Sequence, residues 1–226
     1  MRRAFVDLHC HSKGSFDCLS DPKEIVKAAS DRGLTHLAIT DHDRIDVALE
    51  ARELAPEGLT ILIGEEVKTA DGDLICVFLE RAIQPGMSAM ETIAAAREQG
   101  GLVGIPHPFD RMRGSLLRDA AMASLAPHVD WIEAYNARVV GHGNDDAAEF
   151  AIANGKPGIS VSDAHSIMEV GVAYTALDGD PSTPAGLLAA LASAEVVPGR
   201  ATYFVRLWTP LAKGVNRLRG NSRVRS

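Results

Sequence analysis

The sequence predicts an α/β protein in which short strands alternate with helices and close into a barrel, and three observations predict it. Short apolar runs recur along 226 residues, each followed by a helix-like pattern. Most runs end at their C-terminal side in His, Asp or Glu, the end where barrel enzymes place their chemistry. The chain is 46% hydrophobic and has neither a Pro/Ser/Gly linker nor an internal repeat, so one domain is the simplest organisation. The expected division is a barrel over residues 1–200 and a basic tail over 201–226. An open doubly wound sheet is the alternative, but it would focus a ligand at one switch point and not at every strand end.

The first run, Ala4-Phe5-Val6-Asp7-Leu8-His9-Cys10-His11, ends in two histidines one residue apart. On a strand they leave the same face, so two imidazoles can share one metal ion. A loop with Asp17 follows, then Asp21-Pro22-Lys23-Glu24, which reads as an N-cap Asp, a Pro in the first helical position and a Glu able to complete a capping box. That helix stops at Gly33. Leu37-Ala38-Ile39-Thr40 is a second strand ending in Asp41-His42-Asp43, and a helix through Val47, Leu49 and Leu54 follows. Leu59 to Gly64 is a third strand, ending in Glu65-Glu66. Alternation lets only one of these two glutamates face the interior, and the other is expected in solvent.

Asp71-Gly72 is a turn signal that makes a hairpin with Leu74-Ile75-Cys76-Val77-Phe78-Leu79. Helix pattern from Ser88 to Gln99 stops at Gly100-Gly101, and the strand Leu102 to Ile105 ends in Pro106-His107-Pro108. Val129 to Ile132 leads to Glu133, and Gly158 to Val161 leads to Ser162-Asp163-Ala164-His165. Helices are expected near Leu116 to Leu125, Asp145 to Ala153 and Pro184 to Ala194.

Charge and composition exclude several classes. The net charge is −7, but no acidic residue follows Glu195, whereas Arg200, Arg206, Lys213, Arg217, Arg219, Arg223 and Arg225 add +7, which leaves −14 on the first 195 residues. Such a tail can attract nucleic acid, although a solvated, partly disordered C-terminus is the simpler expectation. Cys10, Cys18 and Cys76 are odd in number and form no Cys-x-x-Cys pair, so no disulfide framework is expected. The strand pattern begins after Met1-Arg2-Arg3, so no signal peptide is expected, and no apolar run approaches the roughly 18 residues that span a bilayer. A cytoplasmic location away from membranes is expected.

Taken in order, His9-x-His11, Asp17, Thr40-Asp41-His42, Glu66, Ile105-Pro106-His107-Pro108 and Ser162-Asp163-x-His165 resemble the PHP (polymerase and histidinol phosphatase) family of metal-dependent phosphoesterases. The resemblance runs from residue 5 to about residue 170. It implies a distorted seven-stranded (β/α)7 TIM-like barrel with two or three divalent ions at the C-terminal ends of the strands, and zinc, manganese and iron(II) all suit such donors. It also implies roles. His9, His11, Glu66 and Asp163 match the shell of a first ion, Glu66 and His107 ligands of a second, and Asp17, His42 and His165 a third. Glu66, Asp163 and His165 then stand closest to the reaction, in which a water activated by the ions attacks phosphorus. Asp41 and Asp43 read as residues that orient an imidazole.

Two departures from the family pattern stand out. The strand after the Glu motif carries no further histidine, so water, Glu133 or His142 would complete the second ion. The insert that nucleotide-cleaving relatives often carry before Pro-His-Pro is absent. Arg138, after a strand end, is the leading candidate for a substrate phosphate; Lys13, Lys68, Arg111 and Arg113 are weaker, and His36 and His128 are read as structural or exposed. The function implied is hydrolysis of a phosphate monoester or a phosphodiester end, on a nucleotide, an oligonucleotide or a metabolite. The alternatives are a metal-stabilised interaction module without catalysis, and a two-metal C–N hydrolase.

Overall fold

The computed structural model describes residues 3–110, 119–200, 205 and 208–222. The elements follow in the order β1 (Arg3–Asp7), α1 (Pro22–Asp31), β2 (His36–Ile39), α2 (Asp46–Leu54), β3 (Thr60–Lys68), β4 (Asp73–Val77), α3 (Ala89–Glu98) and β5 (Leu102–Ile105). They continue with α4 (Asp119–Leu125), β6 (Trp131–Asn136), α5 (Gly143–Ala153), β7 (Gly158–Val161), β8 (Tyr174–Asp178), α6 (Pro184–Ala190), β9 (Glu195–Val197) and α7 (Trp208–Leu218). Local chemistry explains the helix starts. Asp21 caps α1 by accepting from the Lys23 N–H, with Pro22 in the first turn, whereas the reciprocal capping box forms at Ser88 and Glu91 of α3.

The strands lie in one sheet in the order β7-β6-β5-β4-β3-β2-β1-β8-β9. β1, β2 and β3 run parallel, as do β5, β6 and β7, and β4 is antiparallel to both of its neighbours. The Asp71-Gly72 hairpin causes that reversal. Beyond the named strands, Cys10 pairs in parallel with Ala164: His11 N donates to Ala164 O and Asp163 N to His9 O, both at 2.9 Å. These bonds shut the barrel at its C-terminal rim. At the other end β8 and β9, which the sequence reading did not anticipate, extend the sheet beyond β1; Ser160 meets Thr175 at 2.8 Å and the Val197 carbonyl at 3.1 Å. The seven expected strands are present, and β8 and β9 make nine.

Period-2 alternation divides the apolar residues. Leu37, Ile39, Ile61, Ile63, Val103 and Ile105 pack outward under the helices, while Val6, Ala38, Leu62, Leu102, Trp131 and Ile159 fill the interior. This plug sits below the rim. Gly104 is required there, because a Cβ would lie 2.1 Å from Trp131 Nε1.

The C-terminal segment departs from expectation. Residues 208–218 form α7, with Ala212 and Asn216 buried against the body, so this part is docked and not a solvated tail; its apolar spacing alone did not reveal partners 200 residues away. Arg206, Arg223 and Arg225 lie outside the described residues. No helix among the described residues is long and apolar enough to cross a membrane.

Candidate metal centre

At the rim the strand ends and the loop after β1 bring together all eight residues expected as metal ligands. His9, His11, Asp17, His42, Glu66, His107, Asp163 and His165 are each at most 9% exposed. Their ligand atoms form three overlapping sets, His11/Asp17/His42/His165, His9/His107/Asp163 and His9/His11/Glu66, and within each set they lie within 4.8 Å of one another. His9 Nε2 and His11 Nε2 are 3.0 Å apart, and Glu66 Oε2 lies 3.4 Å from the first and 3.2 Å from the second. Glu66 Oε1 is 3.2 Å from His107 Nε2, so one carboxylate faces two groups of imidazoles. Asp163 Oδ1 is 3.5 Å from His9 Nε2 and 3.4 Å from His11 Nε2. Asp17 Oδ2 stands 3.4 Å from His165 Nε2 and 3.7 Å from His42 Nε2.

Backbone geometry supplies the aim. Asp43, His107 and Asp163 have φ of 57°, 28° and 50°, a left-handed conformation that turns the chain sharply as each strand ends. β6 carries a bulge between Glu133 and Tyr135, which resets its alternation so that Asn136 joins Glu133 on the interior face. Glu133 then gathers three donors. Its Oε1 lies 2.7 Å from His9 Nδ1, and its Oε2 accepts from the His107 N–H at 2.8 Å and from Asn136 Nδ2 at 3.0 Å. Asn136 Nδ2 also reaches Asp163 Oδ2 at 3.1 Å.

Asp41 organises the loop after β1. It accepts from Ser12 N at 2.6 Å, Ser15 N at 3.1 Å, Ser15 Oγ at 2.8 Å and the Ser12 hydroxyl, and Gly14 is the residue small enough to pass against it. Ser15 Oγ in turn meets His11 Nδ1 at 2.8 Å, so Asp41 reaches an imidazole through Ser15. Asp43 Oδ1 accepts from Lys68 N at 2.8 Å and braces the exit of β2 against β3.

The charges compete strongly. Burial opposes charge on His11, yet the carboxyls of Asp163 and Glu66 outweigh it and raise its pKa to about 9. Burial would raise Glu66, but His42, His107, His11 and His9 hold it well below the usual carboxylate range. His165 goes the other way, pushed down to about 3 by burial and then by the Arg138 guanidinium. Within this nest Asp17 Oδ1 and His107 Nδ1 are buried with no hydrogen-bond partner. Buried atoms of this kind call for a ligand, and mixed imidazole and carboxylate donors fit a divalent transition ion.

Other expected residues fall elsewhere. Arg138 reaches the rim, where Nη1 pairs with Glu169 Oε1 at 3.0 Å and Nη2 donates to Thr209 Oγ1 at 2.8 Å. Lys13 pairs with Asp21 and Glu50 in solvent. His142 is exposed beside Asp145 and stands apart from the centre. His36 is buried against Thr35 and Ser182, and His128 is exposed. Glu65 corrects the expectation of a solvated side chain. It is fully buried on the outer face, accepts from Ile83 N at 2.9 Å, and burial raises its pKa to about 8. The segment carrying Ile83 covers it, and strand alternation could not foresee that cover. Arg111 and Arg113 lie outside the described residues. Sequence reasoning missed Ser15, Asn136 and the orienting place of Glu133; the only signal was a strand end followed by Asn.

Comparison with known proteins shows the family. The PHP domain matches residues 7–139 and a PHP-associated C-terminal region matches residues 141–196. Two uncharacterized proteins of Methanocaldococcus jannaschii are similar. One is 40% identical over 46% of this chain and 67% of its own length, the other 32% identical over 75% and 68%. A 64-residue stretch is 44% identical to part of a 5'-3' exoribonuclease from Haemophilus influenzae, covering 28% of this chain and 23% of that one. Among solved structures, a two-domain protein from Bacteroides vulgatus, described as containing a predicted PHP-like metal-dependent phosphoesterase, superposes with a TM-score of 0.73 at 19% identity. That match covers 88% of this chain and 65% of the other. With its domain match spanning more than half of the sequence, the chain belongs to the PHP family.

Proposed function

We propose that this chain is a metal-dependent phosphoric ester hydrolase acting on a phosphate monoester or a phosphodiester end. The observation that carries the reading is the convergence of eight buried imidazoles and carboxylates in three overlapping sets at one barrel rim. His9, His11, Glu66 and Asp163 would hold one ion, Glu66 and His107 a second, and Asp17, His42 and His165 a third. Zinc, manganese or iron(II) would suit them. Such ions, when bound, supply Lewis acidity that brings the pKa of a water toward neutrality and offsets the charge of a phosphate.

The chain's own residues do the rest. Glu133 fixes the His9 tautomer so that Nε2 faces the centre, and Asp41 acts on His11 through Ser15. Arg138 contacts the substrate phosphate from the rim. A cavity of about 340 Å³ lined by Phe16, His42, Arg44 and Asn221 opens beside the His42 set and admits the substrate. Nucleotides and short oligonucleotides are the preferred substrates in this reading. The similarity to part of an exoribonuclease and the basic residues Lys213, Arg217 and Arg219 on and after α7 support them.

The test uses protein stripped of metal and restored with Mn²⁺ or Zn²⁺, offered p-nitrophenyl phosphate, its bis-ester, mononucleotides and short oligonucleotides. Turnover should appear, and should vanish in His9→Ala and Asp163→Ala with circular dichroism unchanged. Metal-stabilised folding with no turnover on any phosphate would overturn the reading.

A further inference from the structure

Helix α7 lies beyond both matched family regions, the second of which ends at residue 196, yet at three points it contacts residues that adjoin the His11/Asp17/His42/His165 set. Thr209, Lys213 and Asn216 follow a spacing of i, i+4, i+7 and so share one helix face. Asn216 is 3% exposed, and its Nδ2 donates to Ser15 O at 3.1 Å and to Cys18 O at 2.9 Å. Those carbonyls stand on either side of Asp17. Lys213 Nζ lies 5.3 Å from the centre of the Phe16 ring, which is itself 4.9 Å from the His42 ring. Thr209 accepts from Arg138, Arg138 pairs with Glu169, and Glu169 Oε2 accepts from the His165 N–H at 3.1 Å. One face of α7 therefore reaches neighbours of Asp17, His42 and His165 together.

Resting on the metal-centre reading above, we infer that α7 completes the third-ion half of the centre, with Asn216 as the positioning residue that holds Asp17. The loop that carries Asp17 is gripped on its first half by Asp41, through Ser12 and Ser15. Its second half has the Asn216 amide. Two buried amide hydrogen bonds fix where the Asp17 carboxylate stands, and a polar group left unpaired in such a place forces the segment to rearrange toward water. The His9/His107/Asp163 and His9/His11/Glu66 sets rise from strand ends that α7 does not grip through these contacts. Removing the clamp should therefore strip one ion and spare the others.

The experiment counts ions in the full chain. Wild type, Asn216→Ala and Leu211→Ala, the last on the exposed face of α7, are stripped, dialysed against micromolar Mn²⁺ and analysed for Mn per chain, with affinity from equilibrium dialysis. The expected result is three ions in wild type and Leu211→Ala. Asn216→Ala should bind two, or bind the third at least tenfold more weakly, at unchanged affinity for the others. A clamp that merely docks the helix would lower the melting temperature and leave the count at three, which overturns the inference while the metal-centre reading stands. Wild type binding only two also overturns it; wild type binding none overturns the metal-centre reading itself. Should Asn216→Ala fail to fold, Thr209→Val reads the same count through Arg138 and Glu169, with the same expected and contrary results.

Discussion

Replacing Glu133 by Gln keeps the size of the side chain and removes one of its two acceptor oxygens. The carboxylate faces His9 Nδ1, the His107 N–H and the Asn136 amide, at 2.7, 2.8 and 3.0 Å. If the glutamine oxygen takes the His9 side, its NH₂ confronts two donors; if it takes the other side, the NH₂ forces the His9 proton onto Nε2, the atom that points at Glu66 and Asp163. Both outcomes harm the centre. A buried donor without a partner costs about 1–3 kcal/mol of stability, and losing a carboxylate behind a metal-bound imidazole weakens metal affinity about 10–100-fold. That factor equals about 1.4–2.7 kcal/mol. The assay is competition for Zn²⁺ between the protein and a chelator of known affinity, with circular dichroism as a control on folding. Wild-type affinity in folded Glu133→Gln would refute the reasoning.

Further expectations follow from other parts of the structure. Gly104→Ala forces a methyl into the Trp131 indole and should cost about 1–3 kcal/mol, read as a drop in melting temperature of roughly 2–4 °C per kcal/mol. In chelator, stability should fall as pH rises. His11 has a pKa of about 9 when folded against about 6.5 unfolded, so its contribution is full below about pH 6.5 and gone by about 9; Glu65, raised to about 8, acts with the same sign from about pH 4.5. Differential scanning fluorimetry with EDTA across pH 6.5 to 9 checks this, and a flat or rising profile contradicts it. Metal should reverse the slope, because ions displace the protons on the imidazoles. Arg138→Ala should raise KM for a phosphate ester more than it lowers kcat, as steady-state kinetics would show.

The alternation of apolar runs with helix patterns was enough to read seven strands, because the runs are short, buried on both faces and mostly punctuated by Gly or Pro. Seven of the eight ligand-type residues were readable because they follow the end of such a run, and Asp17 because of its place in the family motif order. What stayed hidden depends on events that periodicity does not encode. A bulge in β6 turned Asn136 inward; the segment carrying Ile83 folded over Glu65. α7 found carbonyls 198 and 201 residues earlier in the chain. β8 and β9 escaped notice because Tyr174–Asp178 and Glu195–Val197 are five and three residues long and only partly apolar.

The two backbone bonds joining residues 9–11 to 163–164 close the ring between segments that are more than 150 positions apart. A growing polypeptide can assemble β1 to β6 as a curved, open wall, but the circumference is completed only after residue 164 has left the ribosome. The imidazoles and carboxylates at that junction span the last gap, so ion uptake is expected to accompany the final step of folding. Amide hydrogen exchange at His11 and Asp163 would register it, slow in the loaded protein and fast in the stripped one.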